Sequence, residues 1–177
     1  MTVDADERDL VLLARDGDVG AFSTLVERHW FPLVRFARSI LGETDAEDSV
    51  QDALVAAWAK ISGLKHPEAF TAWLLRIVAR RSFRRARRGT RQVPLTEADG
   101  APDPTAESAT ATVDVERILS RLAPRQRAVM HLTVIDGMTD SEIAAALGIT
   151  AASVRSHRRR AREALHSVLM PFDGRGA

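Results

Sequence analysis

Apolar residues recur at spacings of three and four along nearly the whole chain, the spacing that gathers them on one face of a helix. Leu10, Leu13 and Ala14 predict a short first helix that Gly17 and Asp18 interrupt, and Phe22, Leu25, Val26 and His29 begin a second. Pro32 lacks an N–H and disfavours helix in the residue before it, which predicts a kink or break near Phe31. Helix then resumes through Leu33, Phe36, Ile40 and Leu41 to a stop at Gly42. Thr44 with Glu47 has the spacing of a capping box and opens the stretch TDAEDSVQDALVAAWAKI. Its apolar side holds Val50, Leu54, Ala57, Trp58 and Ile61, and its other side is acidic. Pro67 suits a first helical position, and Phe70, Trp73, Leu74, Ile77 and Arg81 follow at helical spacing. No run shows the alternation and β-branched enrichment of a strand, so the predicted fold class is all-α.

From Gly89 to about Thr112 the periodicity fails while Pro94, Gly100, Pro102, Pro104 and several Ser, Thr and acidic residues accumulate. A structureless stretch of that length is unusual inside one compact domain, so it reads as a flexible linker, residues 89–112, between two small helical domains, 5–88 and 113–170. The second domain reads as a helix through Val115, Ile118, Leu119 and Leu122, another opened by Pro124 through Val129 and Leu132, then two short helices around a tight turn.

Composition narrows the function classes. No apolar run approaches the ~20 residues needed to cross a bilayer, and the acidic start MTVDADERDL does not resemble a signal peptide, which points to the cytoplasm and against membrane insertion. Cysteine is absent, which removes thiolate metal sites and cysteine nucleophiles. The net charge of +1 hides a block pattern. Residues 1–60 carry 6 basic and 12 acidic side chains, 61–91 carry 9 and 1, 92–116 carry 0 and 6, and 117–170 carry 9 and 4. Local basic surface is what neutralises phosphates, so the two basic blocks point to nucleic acid despite the near-zero total.

The most specific local pattern is MTDSEIAAALGITAASVRSHRRRAREAL, each position of which fits a helix-turn-helix bundle. Thr139 and Glu142 form a capping box, Ile143 and Leu147 face inward, and Ala144 is small where the helices must approach. Gly148 lets the chain turn, Ile149 fills the corner, and Thr150 caps a second helix whose buried side continues with Val154 and Ala161. That leaves Ala152, Ser153, Arg155, Ser156, Arg158 and Arg159 for solvent or DNA, the early residues at base edges and later arginines at phosphates.

In the other basic block, Arg76, Arg80, Arg84 and Arg87 form one helical stripe with Arg81, Arg85 and Arg88 beside it, a track suited to a phosphate backbone. Helical spacing favours core packing for Phe70 and Trp73, whereas Phe83 points away from that face and is open to stack a base. Glu47, Asp48, Gln51 and Asp52 have no accompanying nucleophile, histidine or glycine loop and read as a partner surface. His29, His66, His131, His157 and His166 show no paired metal-ligand spacing, so no metal, no cofactor, no small-molecule substrate and no catalytic constellation is expected.

In order, these pieces resemble an extracytoplasmic-function (ECF) sigma factor of the sigma-70 family. AFSTLVERHWFPLVRFARSILGETDAEDSVQDALVAAWAKI and AFTAWLLRIVARRSFRRARR resemble that family's first conserved domain, and LSRLAPRQRAVMHLTVIDGMTDSEIAAALGITAASVRSHRRRAREAL its second. The resemblance implies a transcription initiation factor that binds core RNA polymerase and promoter DNA, with an anti-sigma factor as a further partner. By position it implies polymerase docking through Glu47, Asp48, Gln51 and Asp52. It implies minus-ten contact and strand separation through the loop of residues 62–68, with Lys65 and His66, and through Arg76, Arg80, Arg84, Arg85, Arg87 and Arg88. Minus-thirty-five reading would fall to the helix-turn-helix. The chain departs from the family pattern at Arg80, where asparagine is usual, and at Arg84, where aspartate is common.

The segment LAPRQRAVMHL with its helix-turn-helix also resembles the output domain of LuxR-type regulators, but the N-terminal half lacks the alternating strands and helices of a receiver domain. A helical nuclease would need carboxylates beside the basic track, and the acids lie elsewhere.

Overall fold

The computed structural model of the chain describes residues 6–92 and 121–169, with side chains described for 6–88 and 121–166. Every regular element among them is helical: α1 Glu7–Arg15, α2 Val19–Leu41, α3 Glu43–Trp58, short 3-10 turns at Ile61–Gly63 and Pro67–Ala69, α4 Phe70–Gln92, α5 Pro124–Val134, α6 Asp140–Leu147 and α7 Ala151–Leu169. Residues 89–92, expected to begin the linker, continue α4 instead, because the helix runs on to Gln92; the rest of the linker, the start of the helix expected through Val115, Ile118 and Leu119, and the tail lie outside the described residues.

Helix α2 begins where Asp18 Oδ1 accepts the Ala21 N–H at 2.9 Å and ends at Gly42, whose φ of 81° suits a residue without Cβ. The break expected near Phe31 is absent, because α2 runs through Pro32 uninterrupted. An interior proline costs about 3 kcal/mol or more, but each large apolar side chain buried contributes about 1.5 to 3 kcal/mol. Leu25 before Pro32, and Leu33, Val34, Phe36 and Ile40 after it, are all buried. A continuous apolar face therefore outweighs the missing backbone bond.

Three smaller expectations also shift. In α1 the inward residues are Leu10, Val11 and Ala14, while Leu13 stays 49% exposed. Thr44 lies inside α3, whose N-cap Gly42 has no side chain to bond, and Glu47 pairs instead with Arg38 at 2.8 Å. Pro67 opens a 3-10 turn that leads into α4 at Phe70, rather than opening α4 itself.

Helix α3 packs between α2 and α4. Its inward side is made of small residues, Ala46, Ser49, Val50, Ala53 and Ala57, with Leu54, and Ser49 meets Ser82 of α4 hydroxyl to hydroxyl at 3.2 Å. Around this seam Trp58 packs on Phe22 with ring centroids 5.0 Å apart, and the fully buried Phe70 lies between His29 at 5.5 Å and Trp73 at 6.0 Å. In the second half Ala128, Val129 and Leu132 of α5, Ile143, Ala146 and Leu147 of α6, and Val154 and Ala161 of α7 close a smaller core.

The two halves pack against one another, α2 on α5 and α4 on both α5 and α6, and their buried side chains form one continuous cluster. Replacing Phe70 with alanine removes one of the two largest fully buried side chains of the first half, and urea unfolding should show a loss of about 3 to 5 kcal/mol.

Candidate nucleic-acid interface

With the small residues of α3 turned inward, Glu47, Asp48, Gln51 and Asp52 are all exposed, as the sequence pattern requires. The same face carries Val55, 73% exposed, which sequence reasoning missed although it follows Gln51 by one helical turn. The inner edge of the acidic face is tied to neighbouring helices. Arg85 of α4 donates to Asp45 at 2.7 and 2.9 Å and to Asp48 at 3.3 Å, and Arg38 of α2 pairs with Glu43 at 3.0 Å and Glu47 at 2.8 Å. The hydrogen bond to Asp45 holds the Arg85 proton more firmly than usual; burial opposes this, and the charges of Asp45, Asp48 and Asp52 add to it. Asp48 and Arg85, assigned by the sequence to two different surfaces, thus meet each other.

Lys65 and His66 are exposed in the turn before α4, where His66 Nδ1 lies 3.1 Å from Glu68 Oε1. Along α4, Arg80, Arg84, Arg87 and Arg88 are exposed, while Arg76, Arg81 and Arg85 are half-buried. Arg76 is engaged with the other half of the protein: its guanidinium donates from Nε, at 3.0 Å, and from Nη2 to the carbonyl of Ala145 in α6. Phe83 does not point away. It packs against the core with the Arg125 guanidinium 5.2 Å above its ring, a cation–π contact.

The helix-turn-helix forms as its sequence predicts. Thr139 Oγ1 accepts the Glu142 N–H at 3.4 Å, and Glu142 Oε2 accepts the Thr139 N–H at 2.8 Å and its hydroxyl at 2.7 Å, which holds the Glu142 carboxyl below the usual carboxylate range. Gly148 takes the left-handed conformation (φ 66°, ψ 41°) that ends α6, and Thr150 Oγ1 accepts the Ser153 N–H at 3.1 Å to cap α7. Val154 and Ala161 are fully buried. Their burial turns Ala152, Arg155 and Arg159 outward, while Ser153, Ser156 and Arg158 are half-buried. Arg158 reaches back to α6 and grips Asp140 with both terminal nitrogens, at 2.5 and 3.2 Å, in the fork geometry of a guanidinium on a carboxylate. Asp140 also lies 3.8 Å from Arg155, and Arg159 pairs with Glu163 one turn along at 2.8 Å. The guanidinium of Arg158 therefore fixes the pose of the second helix on the first, and that of Arg155 stands further out.

Between the halves, Arg35 of α2 donates to Asp136 Oδ1 at 2.8 Å. The other carboxylate oxygen lies 3.6 Å from His131 Nε2, and the His131 ring stands edge-on to Phe36 with centroids 5.8 Å apart. Burial pushes the His131 pKa below its ordinary 6.5; Asp136 acts against this and Arg35 with it. Among the described residues no group of three or more His, Cys, Asp or Glu could hold a metal ion, and no helix is long and apolar enough to cross a membrane.

The capped turn, the outward arginines of α7 and the basic helix α4 define a helical DNA-binding protein of the helix-turn-helix class. Residues 25–92 match the family model for sigma-70 region 2, and residues 112–165 that for sigma-70 region 4. The chain is 36% identical to the RNA polymerase sigma factor CnrH of Cupriavidus metallidurans, over 94% of this chain and 95% of that one. It is 34% identical to the ECF sigma factor SigM of Mycobacterium tuberculosis, over 93% and 86%. A solved structure of CnrH in complex with the cytosolic domain of CnrY superposes with a TM-score of 0.70 at 32% identity, covering 94% of this chain and 99% of CnrH. The chain belongs to the ECF branch of the sigma-70 family. It binds core RNA polymerase and directs promoter recognition, a specificity subunit and not an enzyme.

Two outcomes follow from the geometry. Arg158→Ala should lower unfolding stability by about 1.5 to 3 kcal/mol, the range for hydrogen bonds to charged groups. Arg155→Ala, on the exposed side, should stay within about 0.5 kcal/mol of the parent. For His131, a lowered folded-state pKa means that the unfolded chain binds the proton more readily. Its contribution is therefore full above pH 6.5 and declines as the pH falls from there toward the folded-state value. Urea midpoints between pH 7.5 and 5 should fall, and His131→Phe should flatten that part of the profile.

Proposed function

We propose that this sigma factor divides its promoter between two surfaces: α4 with the preceding loop takes the minus-ten element, and the outward row of α7 reads minus thirty-five. The observation that carries this is the exposure of Ala152, Arg155 and Arg159 on a helix whose opposite side is sealed by Val154 and Ala161. A capped helix with its early residues outward is the element that enters a major groove. Arg155 is the base-edge contact, Ser153 and Ser156 line the flanks, and Arg159 lies further along toward phosphate. Arg158 supports the pair from behind.

On the first half, Arg80, Arg84, Arg87 and Arg88 form the phosphate-facing row, with Arg76 and Arg85 at its margin. Melting is favoured when a displaced base enters a pocket and its backbone rests on cationic surface. Residues 62–68, with Lys65 and His66 outward, are the pocket loop in this reading. Core polymerase docks on the exposed face of Glu47, Asp48, Gln51 and Asp52, where Val55 supplies an apolar contact within an acidic rim. A cytoplasmic site of action follows from the partner. The CnrH complex with CnrY, and that of the sigma factor RpoE with the anti-sigma factor NepR from Bartonella quintana (TM-score 0.65, 26% identity), support an anti-sigma partner for this chain as well.

Reconstitution with core polymerase tests the assignment. Specific runoff transcripts should appear, and Arg155→Ala should weaken promoters with the preferred upstream element by about 1 to 3 kcal/mol, the worth of one good base contact, while sparing those altered at that position. An equal loss on every upstream sequence would move Arg155 to the phosphate contacts.

A further inference from the structure

We propose that Asp140 is a specificity-determining residue for upstream promoter recognition: its carboxylate, fixed by Arg158, restrains the guanidinium of Arg155 at the base-reading position and keeps it off the phosphates. The inference rests on the assignment of Arg155 to a base edge.

Asp140 is the first residue of α6, yet the capping box of that helix closes without it. Thr139 accepts the Glu142 N–H, and Glu142 accepts the Thr139 N–H in return. The Asp140 side chain, 24% exposed, turns instead toward α7. Arg158 donates to Oδ1 from Nη1 at 2.5 Å and to Oδ2 from Nη2 at 3.2 Å, so both oxygens are held from one side and the plane of the carboxylate is set. Oδ2 is the more loosely engaged of the two, and it is the oxygen that Arg155 Nη1 approaches, at 3.8 Å. Arg155 and Arg158 lie about one turn apart on α7, so a single carboxylate on the facing helix serves both.

The two contacts differ in what they leave available. Arg158 is tied by two hydrogen bonds and largely covered. Arg155 is exposed and stays beyond hydrogen-bond distance of Oδ2, so the carboxylate attracts its charge without taking any of its N–H donors. Such a restraint leaves the guanidinium fork open for bidentate pairing with a guanine edge. It also limits the range of a long side chain that must be ordered before it can read a base, which lowers the entropic cost of doing so. A guanidinium with free range on a groove-facing helix would settle on any phosphate it reached, and phosphate contacts carry no sequence information. The fixed negative charge of Asp140 repels phosphates as well, which disfavours poses in which α7 rests on the backbone alone. Arg159 is held differently, by Glu163 on its own helix, so Asp140 is the acid that α6 directs at the reading arginine.

The test uses holoenzyme reconstituted with core polymerase and a promoter library randomised across the upstream element, with transcripts counted by sequencing. Comparison of the parent with Arg155→Ala marks the position whose selectivity depends on Arg155. Asp140→Asn should lower selectivity at that same position several-fold, raise initiation from the weakest members of the library, and leave selectivity at the other positions as in the parent. Asp140→Glu, which keeps the charge, should recover most of the loss. Nitrogen relaxation of the Arg155 Nε–H in the free chain should show wider motion in Asp140→Asn than in the parent. A helix-turn-helix that is merely loosened would instead lower initiation from every member. That outcome, unchanged selectivity in Asp140→Asn, or unchanged Arg155 motion would each overturn the proposal. If Arg155→Ala alters selectivity at no position, the base-edge assignment falls and the selectivity role with it, while the relaxation comparison would still decide whether Asp140 restrains Arg155.

Discussion

The close approach of α3 to both α2 and α4 is the constraint from which the surfaces of the first half follow. Helices pack with axes about 8 to 10 Å apart, and the distance depends on the side chains at the contact. Here the contact is made by Ala46, Ala53 and Ala57, each fully buried, with Val50 and the Ser49–Ser82 hydroxyl pair. A helix wedged on two sides by small residues has one side left. Glu47, Asp48, Gln51 and Asp52 occupy it, so the acidic face that meets polymerase in the proposed reading is a geometric consequence of a small-residue seam. The same seam fixes α4, and with it the direction of the arginine row.

Placing an acidic helix beside an arginine helix raises the question of why the charges do not simply annul one another. The pairings show a division by position. Arg85 sits against Asp45 and Asp48, and Arg38 against Glu43 and Glu47, all along the edges where helices meet. Exposed pairs of this kind contribute little stability, about 0 to 1 kcal/mol each, so their effect is chiefly to set side-chain positions. Charge is neutralised at the seams, and Asp52 on one side and Arg80, Arg84, Arg87 and Arg88 on the other remain outward. The net charge of +1 is then compatible with an acidic face on α3 and an outward arginine row on α4.

What was legible in the sequence is what local chemistry decides. The helix-turn-helix could be read residue by residue because its capping box, its left-handed glycine and the Thr150 cap each involve partners within a few positions, and hydrophobic spacing then fixes which side of α7 faces out. The exposure of the four assigned residues of α3 was legible for the same reason. Where the outcome depended on distant partners, the reading failed or was silent. Pro32 was expected to break a helix because the burial of Leu25 and Phe36 on either side cannot be weighed from spacing alone. Phe83 points toward the core because α5 arrives to cover it, and Arg158 turns from solvent to Asp140 because α6 presents a carboxylate there. The contact between Arg76 and Ala145 spans 69 positions and carries no sequence signal at all.

Interfaces inside each half and the interface between halves differ in how much polar contact frames the apolar core. Within the halves, fully buried side chains such as Phe70, Val50, Ile143 and Val154 interlock, and their separation would expose apolar surface to water. Between the halves the apolar core is also continuous, and the ring contact of Phe36 with His131 is framed by arginines. Their partners are a turn carboxylate, an aromatic face and one helix-terminal carbonyl. The Ala145 carbonyl lies at the end of the helix whose following turn orients α7, so the atom that accepts Arg76 sits beside the turn that aims the helix assigned to DNA in the proposed reading. Gly148 and Thr150 stabilise that turn through local bonds of their own, separate from the Arg76 contact. The turn is thereby rigid in itself, while the helices on either side of it join a core that runs through both halves.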